Sequence, residues 1–317
     1  MTSSLPQAGP ALLCWDDSEA AALAMRGAAT LLDGPHKAVV VFAYFPVGSA
    51  FAGADAVGTP VISDDEAEAI LKRGIQAAHE AGFDATGLRI ASTSTAARAI
   101  SGAAEQHDAR LIVLGQARRS AISRYLLGSV AREVLSAEHR PVILVGSDDG
   151  SPAVAAPGGG GNHSGRPVLI CWDGSEGAAR AVEDAAAIVG AARRATVLFA
   201  HVPTESSRGI LGGFSAPDAP IMGHSDAELV MEQGLRVARE AGFEAQGLPV
   251  VAERKTSEII AATAEAEGSL LITMGQRERS GIGTLLLGSV ARGVLEADHR
   301  PVLLAGPTRP GSYPRSR

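Results

Sequence analysis

The chain is written twice, and that duplication constrains its fold more than any other feature. The segment "LLCWDDSEAA" at 12–21 returns as "LICWDGSEGA" at 169–178. "LLGSVAREVLSAEHRPVILVG" at 126–146 returns as "LLGSVARGVLEADHRPVLLAG" at 286–306, identical at 16 of 21 positions. The offset is 157 at Asp16/Asp173 and 160 at Gly82/Gly242 and Gly128/Gly288, so a short length change falls in segment 46–63. Two copies of a long unit are a domain duplication rather than a solenoid. Whatever the fold is, it must close within one copy and be reachable twice from the same pattern.

Within the first copy, apolar runs at 11–15, 38–45, 88–92, 111–115 and 141–145 read as strands. Between them, 18–32, 64–82, 94–108 and 128–138 read as helices. The stretch "DDEAEAILKRGIQAAHEAG" at 64–82 shows the signals: acids in the first turn, apolar residues at helical spacing, and glycine at the end. Strands apolar throughout, alternating with helices, imply a parallel sheet covered on both faces. Each copy is therefore expected to be an open five-stranded α/β sandwich. Aromatic residues make up only 4% of a chain that is 46% hydrophobic, so the cores must be built from Ala, Val, Leu and Ile. The Gly-, Pro- and Ser-rich run at 147–166 reads as a flexible linker. The expected organisation is thus a disordered 1–10, a first domain at 11–146, the linker, a second domain at 167–306 and a disordered tail at 307–317.

A net charge of −7 disfavours general binding to nucleic acid or anionic membranes, which needs clustered positive charge. No apolar stretch is long enough to span a membrane, and "MTSSLPQAGP" lacks the charged and apolar regions of a signal peptide. A cytoplasmic location is expected. Cys14 and Cys171 belong to no CxxC pair and sit in strand-like runs, where they read as small buried hydrophobes.

Open α/β sheets bind ligands beyond the carboxyl ends of their strands, where strand order reverses. The first strand of each copy runs into Asp16-Asp17-Ser18 or Asp173-Gly174-Ser175, and the fourth into Gly115 or Gly275. Further on, Gly128-Ser129 and Gly288-Ser289 open a helix, whose free N–H groups and positive dipole end suit an anion. Each signal also has a plain reading as a helix N-cap. The four-glycine run in the linker lacks a following Gly-Lys-Ser/Thr and is not read as a phosphate loop. His139 and His299, in "HRPV", read as packing or capping residues.

With "CWDDSEAA" and "CWDGSEGA", "GQARRSAISRYLLGSV" and "GQRERSGIGTLLLGSV", and "HRPVILV" and "HRPVLLA" in view, the chain resembles a tandem universal stress protein. The resemblance covers about 11–146 and 167–306. It implies an adenine-nucleotide α-hydrolase-like fold with strand order 3-2-1-4-5 in each copy. It also implies an ATP site, with Mg if ATP is bound, at the crevice of strands 1 and 4. ATP-binding members share Gly-x2-Gly-x9-Gly-Ser/Thr. Gly115 and Gly275 match its first position, and Gly128-Ser129 and Gly288-Ser289 its last pair, followed by Val130 and Val290. The second glycine is replaced by Arg118 in one copy and Glu278 in the other. The adenine-side aspartate maps onto Asp16 and Asp173, and a second-strand valine onto Val202 but onto Phe45 in the first copy.

A side chain at a φ > 0 position costs about 1–2 kcal/mol. Arg118 can offset that with a guanidinium for phosphate, whereas Glu278 repels it. The first copy is therefore expected to be the better nucleotide site. The last strands, 141–145 and 301–305, are apolar edges that invite pairing. The resemblance implies that they pair with one another within the chain, and a homodimer of chains is a further expectation. Three readings compete: a stress-response regulatory binding protein, a weak ATP-hydrolysing or nucleotidyl-transfer enzyme, and a ligand-free interaction protein.

Overall fold

A computed structural model describes residues 9–32, 36–48, 59–92, 94–116, 127–146, 165–190, 192–204, 218–278 and 285–306. In the first copy the strands are β1 (Ala11–Cys14), β2 (His36–Pro46), β3 (Val61–Ile62), β4 (Phe83–Ala91), β5 (Leu111–Gln116) and β6 (Val142–Gly146). Its helices are α1 (Glu19–Leu31), α2 (Asp64–Glu80), α3 (Ala96–Gln106) and α4 (Ser129–Ala137). The second copy repeats the order with β7 (Val168–Cys171), β8 (Arg194–Pro203), β9 (Ile221–Met222), β10 (Glu244–Val251), β11 (Leu271–Gly275) and β14 (Val302–Ala305). Its helices are α5 (Glu176–Val189), α6 (His224–Glu240), α7 (Thr256–Glu267) and α8 (Ser289–Ala297). A small hairpin, β12 (Arg277–Glu278) with β13 (Leu285–Leu286), follows β11. Its β13 strand lies beside α4 of the first copy.

Each copy is an α/β unit with its main strands parallel, in the order β4-β2-β1-β5-β6 and β10-β8-β7-β11-β14. Counting the main strands within each copy, this is 3-2-1-4-5. The last strands, which the resemblance expects to pair within the chain, lie side by side: β14 runs antiparallel beside β6 with Leu303 opposite Ile143, giving one sheet of 12 strands among the described residues. The third main strand begins at Phe83 rather than at 88. "FDATG" holds Asp84 and Gly87, both disfavoured in strands, yet it pairs along β2 at the sheet edge, where polar side chains face solvent. The short β3 and β9 had no expectation at all. Each extends the ladder by two residues against the end of β2 or β8.

The core is two apolar layers, one on each face of the sheet, and both run without interruption through the two copies. One is sealed by α1, α2, α5 and α6, the other by α3, α4, α7 and α8. Alanine supplies much of the helix side of both, as the low aromatic content requires. The "HR" corners are braced by ion pairs: Arg140 to Glu138, and Arg300 to Asp298 and Glu265. A Cβ on Gly306 would meet Glu138 O at 2.7 Å and His139 Cα at 3.0 Å, so the end of the second copy packs on that corner of the first.

One buried charge breaks the apolar pattern. Asp184 on α5 is only 1% exposed and is paired to Arg180 Nε at 3.1 Å, while its Oδ2 has no hydrogen-bond partner among the described residues. Burial pushes its carboxyl up to about 6, against the pull of Arg180. The unfolded chain ionises this group near 3.8, so stability is full below that pH and is lost as pH rises through 6. Replacement by the neutral Asp184→Asn is expected to stabilise the fold by about 1–3 kcal/mol at pH 8. The gain should vanish near pH 4, as read by urea unfolding at the two pH values.

Candidate functional site

The crevice begins where β1 and β7 end. Trp15 and Trp172, each just before an aspartate, lie flat over a helical glycine. A Cβ on Gly74 or Gly234 would come within 2.7 or 2.8 Å of the indole. Their Nε1–H groups donate to Ile70 O and Val230 O. This tryptophan–glycine pair, repeated in both copies, escaped sequence analysis; the recurrence of Gly74 as Gly234 opposite the repeated Trp was the available signal.

The aspartates come next. Asp16 Oδ1 accepts from the Ser18 N–H at 3.1 Å and from Ser18 Oγ; Asp173 does the same with Ser175. Each serine Oγ in turn caps its helix, accepting from Ala21 N–H or Ala178 N–H at 3.1 Å. The N-cap reading of these residues is therefore part of their role, since one carboxylate oxygen orients the cap. The next position separates the copies. Asp17 has φ +64° and Gly174 +77°, so a non-glycine residue holds a left-handed backbone in the first copy. Arg73 binds Asp17 through two hydrogen bonds and holds its carboxyl below the usual range.

The fourth strand supplies Gly115 and Gly275, and their glycine is demanded by the fold. A Cβ on Gly115 would sit 2.5 Å from the Ala20 carbonyl carbon and oxygen, and one on Gly275 2.2 Å from Gly177 C. The first turn of α1 or α5 lies directly on the strand. Gly128 and Gly288 are different. They have φ near −60°, which any residue adopts, and a Cβ there would meet no described atom within 4 Å. Both occupy the N-cap of α4 or α8, and among the described residues no side chain caps the first-turn N–H groups of Ser129 and Val130, or Ser289 and Val290. A fold selecting for stability alone would place Ser, Asp or Asn here. Open space at an uncapped helix N-terminus suits an approaching anion.

In the second copy these parts border one cleft of about 460 Å³. Asp173, Gly275, Gly288, Ser289 and Val290 line it, with an apolar wall from Leu198, Ile260 and Met274. Cys171 lines it as well and is half-buried; burial pushes its thiol, like that of Cys14, well above the ordinary range. Val202 does not line the cleft. It is buried, and its N–H donates to Pro220 O at 2.8 Å, as Phe45 N–H does to Pro60 O. Asp218 and Thr256, which sequence analysis did not single out, do line the cleft. Arg118 lies outside the described residues, and Glu278 is described only as backbone in β12. A separate concavity of about 390 Å³ lies at the opposite ends of β8 and β10, lined by Arg194, Arg239 and Glu244, and holds none of the expected site residues. Among the described residues, no group of three His, Cys, Asp or Glu is placed to hold a metal ion, and no helix is long and apolar enough to cross a membrane.

The profile described as "Universal stress protein family" matches residues 9–146 and 165–305. Universal stress protein Rv2005c of Mycobacterium tuberculosis is 30% identical over 255 residues, covering 77% of this chain and 78% of that protein. Among solved structures, a universal stress protein from Archaeoglobus fulgidus superposes with a TM-score of 0.65 at 20% identity, covering 94% of this chain and 98% of that one. A structure described as a putative universal stress protein from Pseudomonas aeruginosa gives 0.56 at 16% identity, with 95% and 94% covered.

The contrast between the two glycine pairs is directly measurable. Gly275→Ala is expected to destabilise the fold by ~2–3 kcal/mol, because backbone must move to admit the Cβ. Gly288→Asp is expected to leave stability unchanged or raise it by a few tenths of a kcal/mol, since aspartate is a good N-cap. Chemical denaturation of the two variants separates the glycine the fold requires from the one it does not.

Proposed function

The chain belongs to the universal stress protein family, and on that footing we propose that it is a stress-response regulatory binding protein whose crevice between strands 1 and 4 holds an adenine nucleotide. The uncapped helix N-terminus behind Gly128 and Gly288 carries this reading, because it leaves room and donors where the fold needs neither. ATP is the proposed ligand, with its phosphates on the N–H groups of Ser129 and Val130 or Ser289 and Val290. Asp16 or Asp173 borders the same crevice. Magnesium, where present, would arrive bound to the phosphates. The first copy is the proposed principal site: Arg118 brings a cation to the loop, where Glu278 brings an anion. The units are taken as 11–146 and 167–306, with 147–166 joining them. Pairing of β6 with β14 would let one chain supply the contact that a two-chain assembly would otherwise need, and a homodimer of such chains remains compatible with this reading.

A ligand-free interaction protein is the second reading. It is favoured by one observation: the Val202 and Phe45 N–H groups at the ends of β8 and β2 are already bonded to Pro220 and Pro60. Native mass spectrometry of freshly purified protein, then calorimetric titration with Mg-ATP, separates the two. The nucleotide reading expects bound adenine nucleotide and saturable heat, both lost in Asp16→Ala and Gly128→Asp. No carried ligand and no heat up to millimolar ATP would leave the interaction protein.

A further inference from the structure

The second cleft carries two polar residues that the first copy's sequence lacks. In the second copy Asp218 lines the cleft, half-buried, just before the β9 segment that extends β8. Thr256 Oγ1 donates to its Oδ1 at 3.3 Å, and its Oδ2 has no hydrogen-bond partner among the described residues. The corresponding positions of the first copy, at the offset of 160, are Gly58 and Ala96. A carboxylate and the hydroxyl that holds it have therefore been gained or lost together. Both lie in the cleft, and neither is needed to close the core.

Position along the sheet gives the carboxylate its meaning. Asp218, just before β9, Asp173 at the end of β7 and the N-terminus of α8 all line the same cleft of about 460 Å³. A ligand seated with its anion on α8 presents its far end to Asp218. An ionised carboxylate only accepts hydrogen bonds. It rewards two adjacent donors and penalises an acceptor, whose lone pair would face its charge.

Building on the nucleotide reading above, we infer that Asp218, held by Thr256, makes the second cleft selective for a nucleotide that offers two adjacent hydrogen-bond donors. Two groups have that chemistry: the N1–H/N2–H edge of guanine and the vicinal diol of ribose. Adenine, whose edge pairs a donor with an acceptor, does not. The first copy has Gly58 and Ala96 at the corresponding sequence positions, so it carries neither this carboxylate nor this hydroxyl.

The test uses the full chain carrying Gly128→Asp, which silences the first crevice, and calorimetric titration with GMP, AMP, dGMP and dAMP. Reading of the base predicts that GMP and dGMP bind about tenfold tighter than AMP and dAMP; reading of the diol predicts that both ribonucleotides exceed both deoxynucleotides by a similar factor. In either case Asp218→Asn should erase the preference, and Thr256→Ala should weaken it, with circular dichroism and melting unchanged. Equal binding of all four, or a preference that survives Asp218→Asn, overturns the inference. Adding Gly288→Asp separates it from the site reading. If binding persists there, the ligand is not on α8 and both fail. If binding is lost there but Asp218→Asn changes nothing, the site stands and the selectivity does not.

Discussion

The crevice depends on one contact: the first turn of α1 on β5, and of α5 on β11, with no side chain between them. Gly115 and Gly275 permit it, since any Cβ would overlap helix backbone at 2.2–2.5 Å. Because the helix sits that close, its N-cap serine and the bracing aspartate reach the strand-4 end rather than standing above the sheet. Trp15 and Trp172 fix the other side, lying against Gly74 and Gly234 of α2 and α6. Two glycine contacts thus hold the β1 and β7 ends between two helices. The placement of the two aspartates is a by-product of that packing: the fold has to position Asp16 and Asp173 whether or not anything binds.

The same economy explains the joint between the copies. A parallel sheet ending in an apolar strand leaves a row of unpaired N–H and C=O groups. Two such edges in one chain satisfy each other, and the β6–β14 ladder extends both core layers across the join. The corner residues then have to pack against the neighbouring copy as well as their own. That accounts for Gly306, whose missing Cβ makes room for Glu138 and His139. It also accounts for Arg140 and Arg300, which neutralise acids that are themselves buried at the corner.

Much of this was legible because the signals are local and doubled. Strand and helix positions follow from apolar runs and caps, and the strand-4 glycines and helix-opening Gly-Ser pairs recur at a fixed offset. What escaped was relational. Nothing in "FDATG" says that an exposed edge will pair along β2 from Phe83. Gly115 and Gly128 look alike in sequence, although one is required by a helix lying on it and the other by nothing in the fold. Val202 looks available until its N–H is seen bonded to Pro220, and Asp218 looks like loop until the cleft closes round it. Each depends on what stands opposite, which a single strand of sequence does not state.

The divergence between the copies follows the same relational rule. Tyr44 donates to Asp64 beneath the Arg89 guanidinium; the second copy has His201, His224 and Pro249 in those places. Thr95 donates to Glu133, whereas Lys255 faces no such partner because Gly293 replaces the glutamate, and Ser257 fills the space where a Gly293 Cβ would fall. Asp184 is paired with Arg180, where the first copy has Gly27 and Leu23. Core and surface positions have therefore changed in matched sets, because a lone buried polar group costs several kcal/mol and a partner offsets part of that cost. The aspartate and serine of the cap, Asp16 with Ser18 and Asp173 with Ser175, have not changed, and neither have the helix-opening Gly-Ser pairs. Matched drift in the scaffold beside an unchanged pair of uncapped helix ends is the pattern expected when the fold tolerates exchange at those glycines and something other than the fold does not.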